Sequence, residues 1–309
     1  MTESTSIALK DRFTGALVGS ALGDAVGEIA FGFSDREGLE AAVTGKKELC
    51  YTDDTAMMIG LAESMIELGK VDPEHAGAAF HRNFNREPWR GYAGGPPSVF
   101  SRVEREGVTY TEAASGLYNG QGSLGNGAAM RVTPVGLVYR DDKNLYARVE
   151  ESARATHTHP VGIDGAAVLA KLIALAAVHG PGEPPMPILE TLSDFARTEN
   201  MKKQINRVKD SLEKDTSLTM TGFTLGFGVE ADRSVPMAVY SFLAYPDSFE
   251  DCLYCAALHS SDRDTVACMA CAVSGAYLGI GGIPPEWMKK LESLEYILSL
   301  SEGLYGLGK

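Results

Sequence analysis

The sequence contains no basic stripe and no interleaving of aromatic with basic residues. Its 28 Lys and Arg face 41 Asp and Glu, for a net charge of -13 and a pI near 5.0. That balance excludes the usual electrostatic mode of nucleic-acid binding, in which clustered cations neutralise phosphates. Long apolar runs are also lacking. The best match to a membrane span is Phe13 to Phe33, and Asp24 and Glu28 interrupt it. A charge at that depth costs roughly 2.5–3.5 kcal/mol on insertion scales, so a buried helix and no membrane partner are expected. The opening segment MTESTSIALK has neither the basic nor the apolar part of an export signal, which sets the expectation of a cytoplasmic chain with reduced thiols.

Cysteine is sparse: Cys50, Cys252, Cys255, Cys268 and Cys271, an odd set. Two Cys-x-x-Cys pairs have the internal spacing of a zinc site. Both lie in apolar, helical-looking runs (DCLYCAALH and TVACMACAVSG), where cysteine behaves as a small hydrophobe. Alternating strands are missing as well; the nearest candidate, TMTGFTLGFGVE, is short and rich in glycine.

What is present is helical periodicity. Met57, Met58, Leu61, Met65, Ile66 and Leu68 recur at helical spacing, as do Val168, Leu169, Leu172, Ile173, Leu175 and Ala176. Residues 237–245, 249–258 and 266–278 follow the same rule. Breaks fall at GYAGGPP, NGQGSLGNG, HGPGEPPMP and GIGGIPPEW, none long enough for a flexible linker. With 44% hydrophobic residues, the pattern predicts a single compact all-α domain over residues 1–309, of roughly a dozen helices. Gly15, Gly19, Gly23 and Gly27 recur every four residues on one face of the first helix. Each costs about 1 kcal/mol relative to alanine, which predicts a close backbone neighbour.

Two acidic clusters precede apolar helices: Thr52-Asp53-Asp54-Thr55, and Ser261, Asp262, Asp264 and Thr265 with Arg263 between the two acids. Either one alone is accounted for by helix capping. The pair is different, because a cap needs one carboxylate and each cluster supplies two beside a hydroxyl. Four carboxylates with threonine oxygens would suit Mg²⁺, Mn²⁺ or Ca²⁺ and disfavour zinc and copper. Between the clusters lies NGQGSLGNGAAMRVTP, in which Gly120, Gly122, Gly125 and Gly127 permit close backbone approach to a phosphate. It has no Walker lysine and no preceding strand, so an ordinary helix connection is the competing reading. Arg131 reads as a phosphate contact or, with more weight, as a salt-bridge partner. His157 and His159 follow in ATHTHPVGIDGA, and a histidine there is more often structural than a ligand.

Taken in order, these segments resemble the ADP-ribosylglycohydrolase family, which includes the dinitrogenase reductase-activating glycohydrolase and the ADP-ribosyl-acceptor hydrolases. GALVGSALGDAVGE, YTDDTAM, GSLGNGAAMRVTPVGL, ATHTHPVGIDGA and SSDRDTVACMACAVSGAYLG arrive in family order over about residues 12–282. The resemblance implies a compact all-α fold with a binuclear Mg²⁺ centre, Mn²⁺ being the substitute. By motif position the metal ligands would be Thr52, Asp53, Asp54, Asp262, Asp264 and Thr265. Gly122, Ser123, Gly125 and Asn126 would hold the diphosphate and its ribose, Tyr118 would stack on adenine, and His157 would touch substrate. The implied reaction is hydrolysis of the C1″ glycosidic bond of ADP-ribose on a protein or small-molecule conjugate. A modified nucleic-acid end is one further acceptor. A catalytically silent ADP-ribose-binding or structural relative is the alternative, and monomer is the default state.

Four positions depart from the family pattern. Ser261 replaces a glycine, Arg263 stands between the two acids, and Leu124 occupies an aromatic position. Phe31 stands where several members carry the catalytic glutamate. Either Glu28 substitutes from one turn earlier, or a metal-bound aspartate (Asp53 or Asp264) does that work. The cleft rim, residues 28–48 and 89–97, is expected to set acceptor choice.

Overall fold

The computed structural model describes residues 7–181, 186–214 and 216–309. The first six residues and part of the HGPGEPPMP break lie outside them. The glycine stripe decides how the core is built. A Cβ added at Gly15, Gly19 or Gly23 would overlap the carbonyl oxygens of Gly275, Cys271 and Ala267, and one at Gly27 would meet the backbone of Arg263 and Asp264. The first helix (Leu9–Ala30) therefore lies backbone to backbone and antiparallel against the helix Arg263–Leu278. The cost of glycine in a helix is offset by contact that any side chain would prevent. The packing has a positional consequence: the end of the first helix that carries Asp24 sits beside the start of the second acidic motif.

The first helix also holds three helix ends. At its start, buried Arg12 donates to the carbonyls of Ala176 (3.0 Å) and Tyr277 (2.9 Å), in the last turns of Pro160–Val178 and Arg263–Leu278. A guanidinium there satisfies otherwise unpaired carbonyls and suits the negative ends of both dipoles. Further along, Asp24 accepts from the start of the helix Asp53–Leu68. Asp164, buried in Pro160–Val178, uses the same device: it accepts from the backbone N–H groups of Arg197 (2.9 Å) and Thr198 (2.8 Å), ahead of the helix Glu199–Glu213.

The all-α expectation holds. The described residues contain nineteen α-helices and one 3-10 turn around one continuous hydrophobic core. The number exceeds the expected dozen because several are single turns, such as Gly127–Met130 and Pro285–Met288, too short to leave a periodic signal. The strand candidate is instead mostly helix, Leu218–Leu225, and the only β contacts among the described residues are isolated bridges, Leu49 with Leu291 and Gly125 with Glu230. One helix, Pro160–Val178, is long and apolar enough to cross a membrane, and 78% of its apolar window is buried inside the fold. It is a stronger match than Phe13 to Phe33: both carry two charges, here Asp164 and Lys171, but its mean hydropathy reaches 2.0. Cys252, Cys255, Cys268 and Cys271 are buried and free, as small core residues, while Cys50 is free and exposed.

Candidate active site

The helix Asp53–Leu68 begins at the first acidic motif, but the motif does not cap its own helix: Thr52, at the N-cap, makes no side-chain cap bond. The cap comes from the first helix. Asp24 accepts from the backbone N–H of Thr52 (3.0 Å) and Thr55 (3.0 Å) and from their hydroxyls at 2.7 and 2.6 Å. With the orphan donors already satisfied, Asp53 and Asp54 are released from capping duty. Asp54 Oδ2 lies 3.1 Å from the Thr52 hydroxyl, while its Oδ1 is buried with no partner in the protein. Such an orphaned acceptor is costly unless something outside the chain fills it. On the other flank, the Asp53 N–H donates to the Arg90 carbonyl at 2.8 Å. The Arg90 side chain bonds the Tyr51 carbonyl (2.8 Å) and the Glu292 carboxylate (2.7 Å), which clamps the chain entering the helix.

The second motif begins the helix Arg263–Leu278 with Asp262 at the N-cap, again without a side-chain cap bond. The family departures in this motif are fastenings. Ser261 Oγ accepts from the Gly228 N–H at 2.9 Å, tying the motif to the 226–230 loop. Arg263 donates to the carbonyls of Ala30 and, at 2.6 Å, Phe33, so it holds the end of the first helix. Asp262 Oδ2 accepts from Asn126 Nδ2 at 2.6 Å, which joins the second acidic motif to the glycine loop.

Gly122 in that loop has φ +74°, and a Cβ there would overlap Thr158, so only glycine brings the loop against the histidine segment. The loop is pinned from the other side by Asn126 N–H to the Val229 carbonyl (2.9 Å) and Ala231 N–H to the Leu124 carbonyl (3.0 Å). His157 is buried, its Nδ1 2.7 Å from Thr156 Oγ1 and its Nε2 toward the glycine loop. Burial, then the Arg131 charge, pushes its pKa down to about 3, which makes it a neutral hydrogen-bonding ring. Arg131 does not line the cavity that holds the acids, and among the described residues it makes no ion pair, against the salt-bridge reading favoured above. It is 1% exposed, stacks over Phe80 at 4.5 Å, and donates to the carbonyls of Gly127, Ser152 and Ala153. Tyr118 has left-handed backbone (φ 51°, ψ 51°) and a ring that is 61% exposed at the mouth.

One cavity of about 220 Å³ collects these pieces: Asp53, Asp54, Tyr118, Ser123, Gly125, Asn126, His157, Asp262, Asp264 and Thr265 all line it. Thr52 stands behind Asp54, and Gly122 braces the loop from outside the lining. Glu28 is exposed and does not line the cavity, and Phe31 is likewise exposed. Burial first, and then neighbouring carboxylates, raise the acids: Asp53 to about 7, Asp264 to about 8, and Asp54 well above the ordinary range. Among the described residues no three His, Cys, Asp or Glu side chains are already drawn together as a metal-holding group. Thr52, Asp54, Asp262 and Asp264 are instead engaged by protein partners. The donor set is nevertheless all oxygen, with one buried oxygen unpartnered and charges that repel one another, which is the chemistry of a hard-cation site. Sequence reasoning left Asp24 and Arg90 out of the site. A charged residue inside a glycine-striped apolar helix was the available signal for Asp24, since a buried carboxylate requires donors.

Fold and site together define an all-helical protein with an acid-lined cavity beside a glycine loop and a neutral histidine. The chain matches the ADP-ribosylglycohydrolase family over residues 5–309 and belongs to it. It is 30% identical to the ADP-ribosylhydrolase ARH3 of Gallus gallus, over 96% of this chain and 93% of that one. An uncharacterized protein of Archaeoglobus fulgidus is 32% identical over 97% of both chains. Among solved structures, an ADP-ribosylglycohydrolase-related protein complex superposes with a TM-score of 0.75 at 25% identity, covering 97% of this chain and 99% of that one.

Proposed function

We propose that this protein hydrolyses the C1″ glycosidic bond of ADP-ribose attached to a protein side chain or small-molecule acceptor, releasing ADP-ribose. The observation that carries this reading is the single cavity into which Asp53, Asp54, Ser123, Asn126, His157, Asp262 and Asp264 project from segments far apart in sequence. Thr52, Asp53, Asp54, Asp262, Asp264 and Thr265 would hold two Mg²⁺ (or Mn²⁺). Bound there, the ions would neutralise the clustered acids and polarise substrate oxygens.

The chain's own groups divide the remaining work. Ser123, Gly125 and Asn126 offer short polar groups and backbone to the diphosphate and its ribose. The Tyr118 ring offers a stacking face to adenine, and neutral His157 a hydrogen bond. A water oxygen bonds to C1″ as the bond from C1″ to the acceptor breaks, through a transition state with positive charge on the ribose. We assign acid–base work to Asp53 and Asp264, which line the cavity, rather than to exposed Glu28. One of them takes the water proton, and that proton is passed to the acceptor as it leaves, so the carboxylate is regenerated. Localisation in the cytoplasm and a monomeric state belong to the same proposal.

The test is ADP-ribose release from ADP-ribosyl-arginine, ADP-ribosyl-serine and O-acetyl-ADP-ribose, with Mg²⁺ and with EDTA. Release from at least one conjugate, abolished by EDTA, is expected. No release from any of them overturns the substrate assignment, and undiminished turnover in EDTA overturns the metal assignment.

A further inference from the structure

A larger cavity, of about 420 Å³, lies on the other side of the same wall, and the reaction leaves it unused. Its lining includes Tyr51, Glu63, Arg86, Glu87, Trp89 and Tyr296. The two cavities share structure. Trp89 faces the larger one, while Gly91, Ala93, Gly95 and Pro96 of the same segment line the acidic one. Tyr51 and Ala56 of the larger cavity bracket Thr52–Thr55. The segments 51–56 and 89–96 therefore contribute to both cavities.

Trp89 is the feature that requires a reason. It is 73% exposed, the most exposed of the large hydrophobic side chains among the described residues. The local structure holds that exposure in place: Arg90, the next residue, is anchored by Glu87, Glu292 and the Tyr51 carbonyl. Indole faces are the strongest aromatic partners for cations, and exposed tryptophans are enriched among residues that dominate recognition. Arg90 holds Glu87 through both its oxygens and Glu292 on its other side, so around the cavity three carboxylates, Glu63, Glu87 and Glu292, stand against the guanidiniums of Arg86 and Arg90, one negative charge in excess. Glu63 accepts from the Tyr296 hydroxyl at 2.6 Å, which fixes a carboxylate beside an aromatic face. Carboxylates beside aromatic rings form a receptor for an arginine or lysine side chain. The chain's net charge of -13 also favours a basic partner.

We infer that the Trp89 cavity is an acceptor subsite, which takes a basic side chain of the ADP-ribosylated polypeptide near the modified residue. This rests on the function proposed above, and it would make the enzyme prefer basic polypeptide acceptors over small conjugates of the same linkage.

Binding and turnover test it separately. Trp89 is exposed whereas the only other tryptophan, Trp287, is 6% exposed, so fluorescence changes on ligand addition report on Trp89. Titration with an unmodified arginine- and lysine-rich peptide is expected to give a saturable change that weakens with salt and in the Glu63→Gln variant. A glutamate-rich peptide is expected to give none. In turnover, Trp89→Ala is expected to raise KM for an ADP-ribosylated basic peptide roughly 5- to 30-fold. It should leave kcat, and turnover of O-acetyl-ADP-ribose, unchanged. No saturable binding of the basic peptide, or an equal loss for peptide and small conjugate, overturns the subsite. Absence of all turnover with intact peptide binding would overturn the proposed reaction while leaving the basic-peptide site standing.

Discussion

The acids of the cavity are held in an unfavourable state. Asp264 is raised to about 8 and Asp53 to about 7 because burial and neighbouring carboxylates disfavour their ionised forms. The unfolded carboxyl titrates near 3.8. Between that pH and the folded value the native state binds more protons than the unfolded one, so this contribution lowers stability as pH rises from about 4 to about 8. Asp264→Asn removes the penalty. In EDTA the variant is expected to unfold at a higher temperature than wild type at pH 8, with the gap closing toward pH 4. Its Mg²⁺-dependent turnover should fall on the order of 100-fold or more. Melting curves across pH check the first expectation, and a gap that widens toward low pH would show the sign to be wrong. Asp24 illustrates a different residue-scale point. Its sequence neighbours gave no partner for it; the four donors from Thr52 and Thr55 come from another helix, 28 and 31 residues away.

At the scale of elements, the contact between Leu9–Ala30 and Arg263–Leu278 fixes the distance between the two acidic motifs. Gly23→Ala tests it, because intrinsic propensity and packing predict opposite signs. Alanine is the better helix former by about 1 kcal/mol, yet its methyl would overlap the Ala267 carbonyl. The expected outcome is a net loss of about 1–3 kcal/mol in urea unfolding, with weaker Mg²⁺ dependence as Asp24 and Asp264 are pushed apart. A stabilised variant would mean that the helices separate at no cost. The stripe was legible in the sequence because a four-residue repeat needs no knowledge of the partner. Its partner was not, since Ala267, Cys271 and Gly275 read only as ordinary small residues in an apolar helix.

Across the whole molecule, the excess of acids and the orphaned Asp54 oxygen predict a response to divalent cations that folding alone would not give. Adding Mg²⁺ at 100 times its dissociation constant would stabilise the native state by about 2.7 kcal/mol. The shift in melting temperature should be larger at pH 8 than at pH 5, where the acids hold protons more fully. Sodium at matched ionic strength should not reproduce it, and a pH-independent or salt-equivalent shift would contradict the hard-cation site. The sequence by itself determined the helical class, the two acidic motifs, the glycine loop and the family. Each of those is written in local spacing, and local spacing survives in one dimension. Only the tertiary structure decided that Asp24 caps the first motif, that Arg131 is buried among carbonyls, and that Glu28 faces solvent. It also decided that Trp89 lines a second cavity whose walls share segments with the acidic one. These outcomes depend on which backbones can approach, and that is set by side-chain volume at contacts between residues as far apart as Gly15 and Gly275.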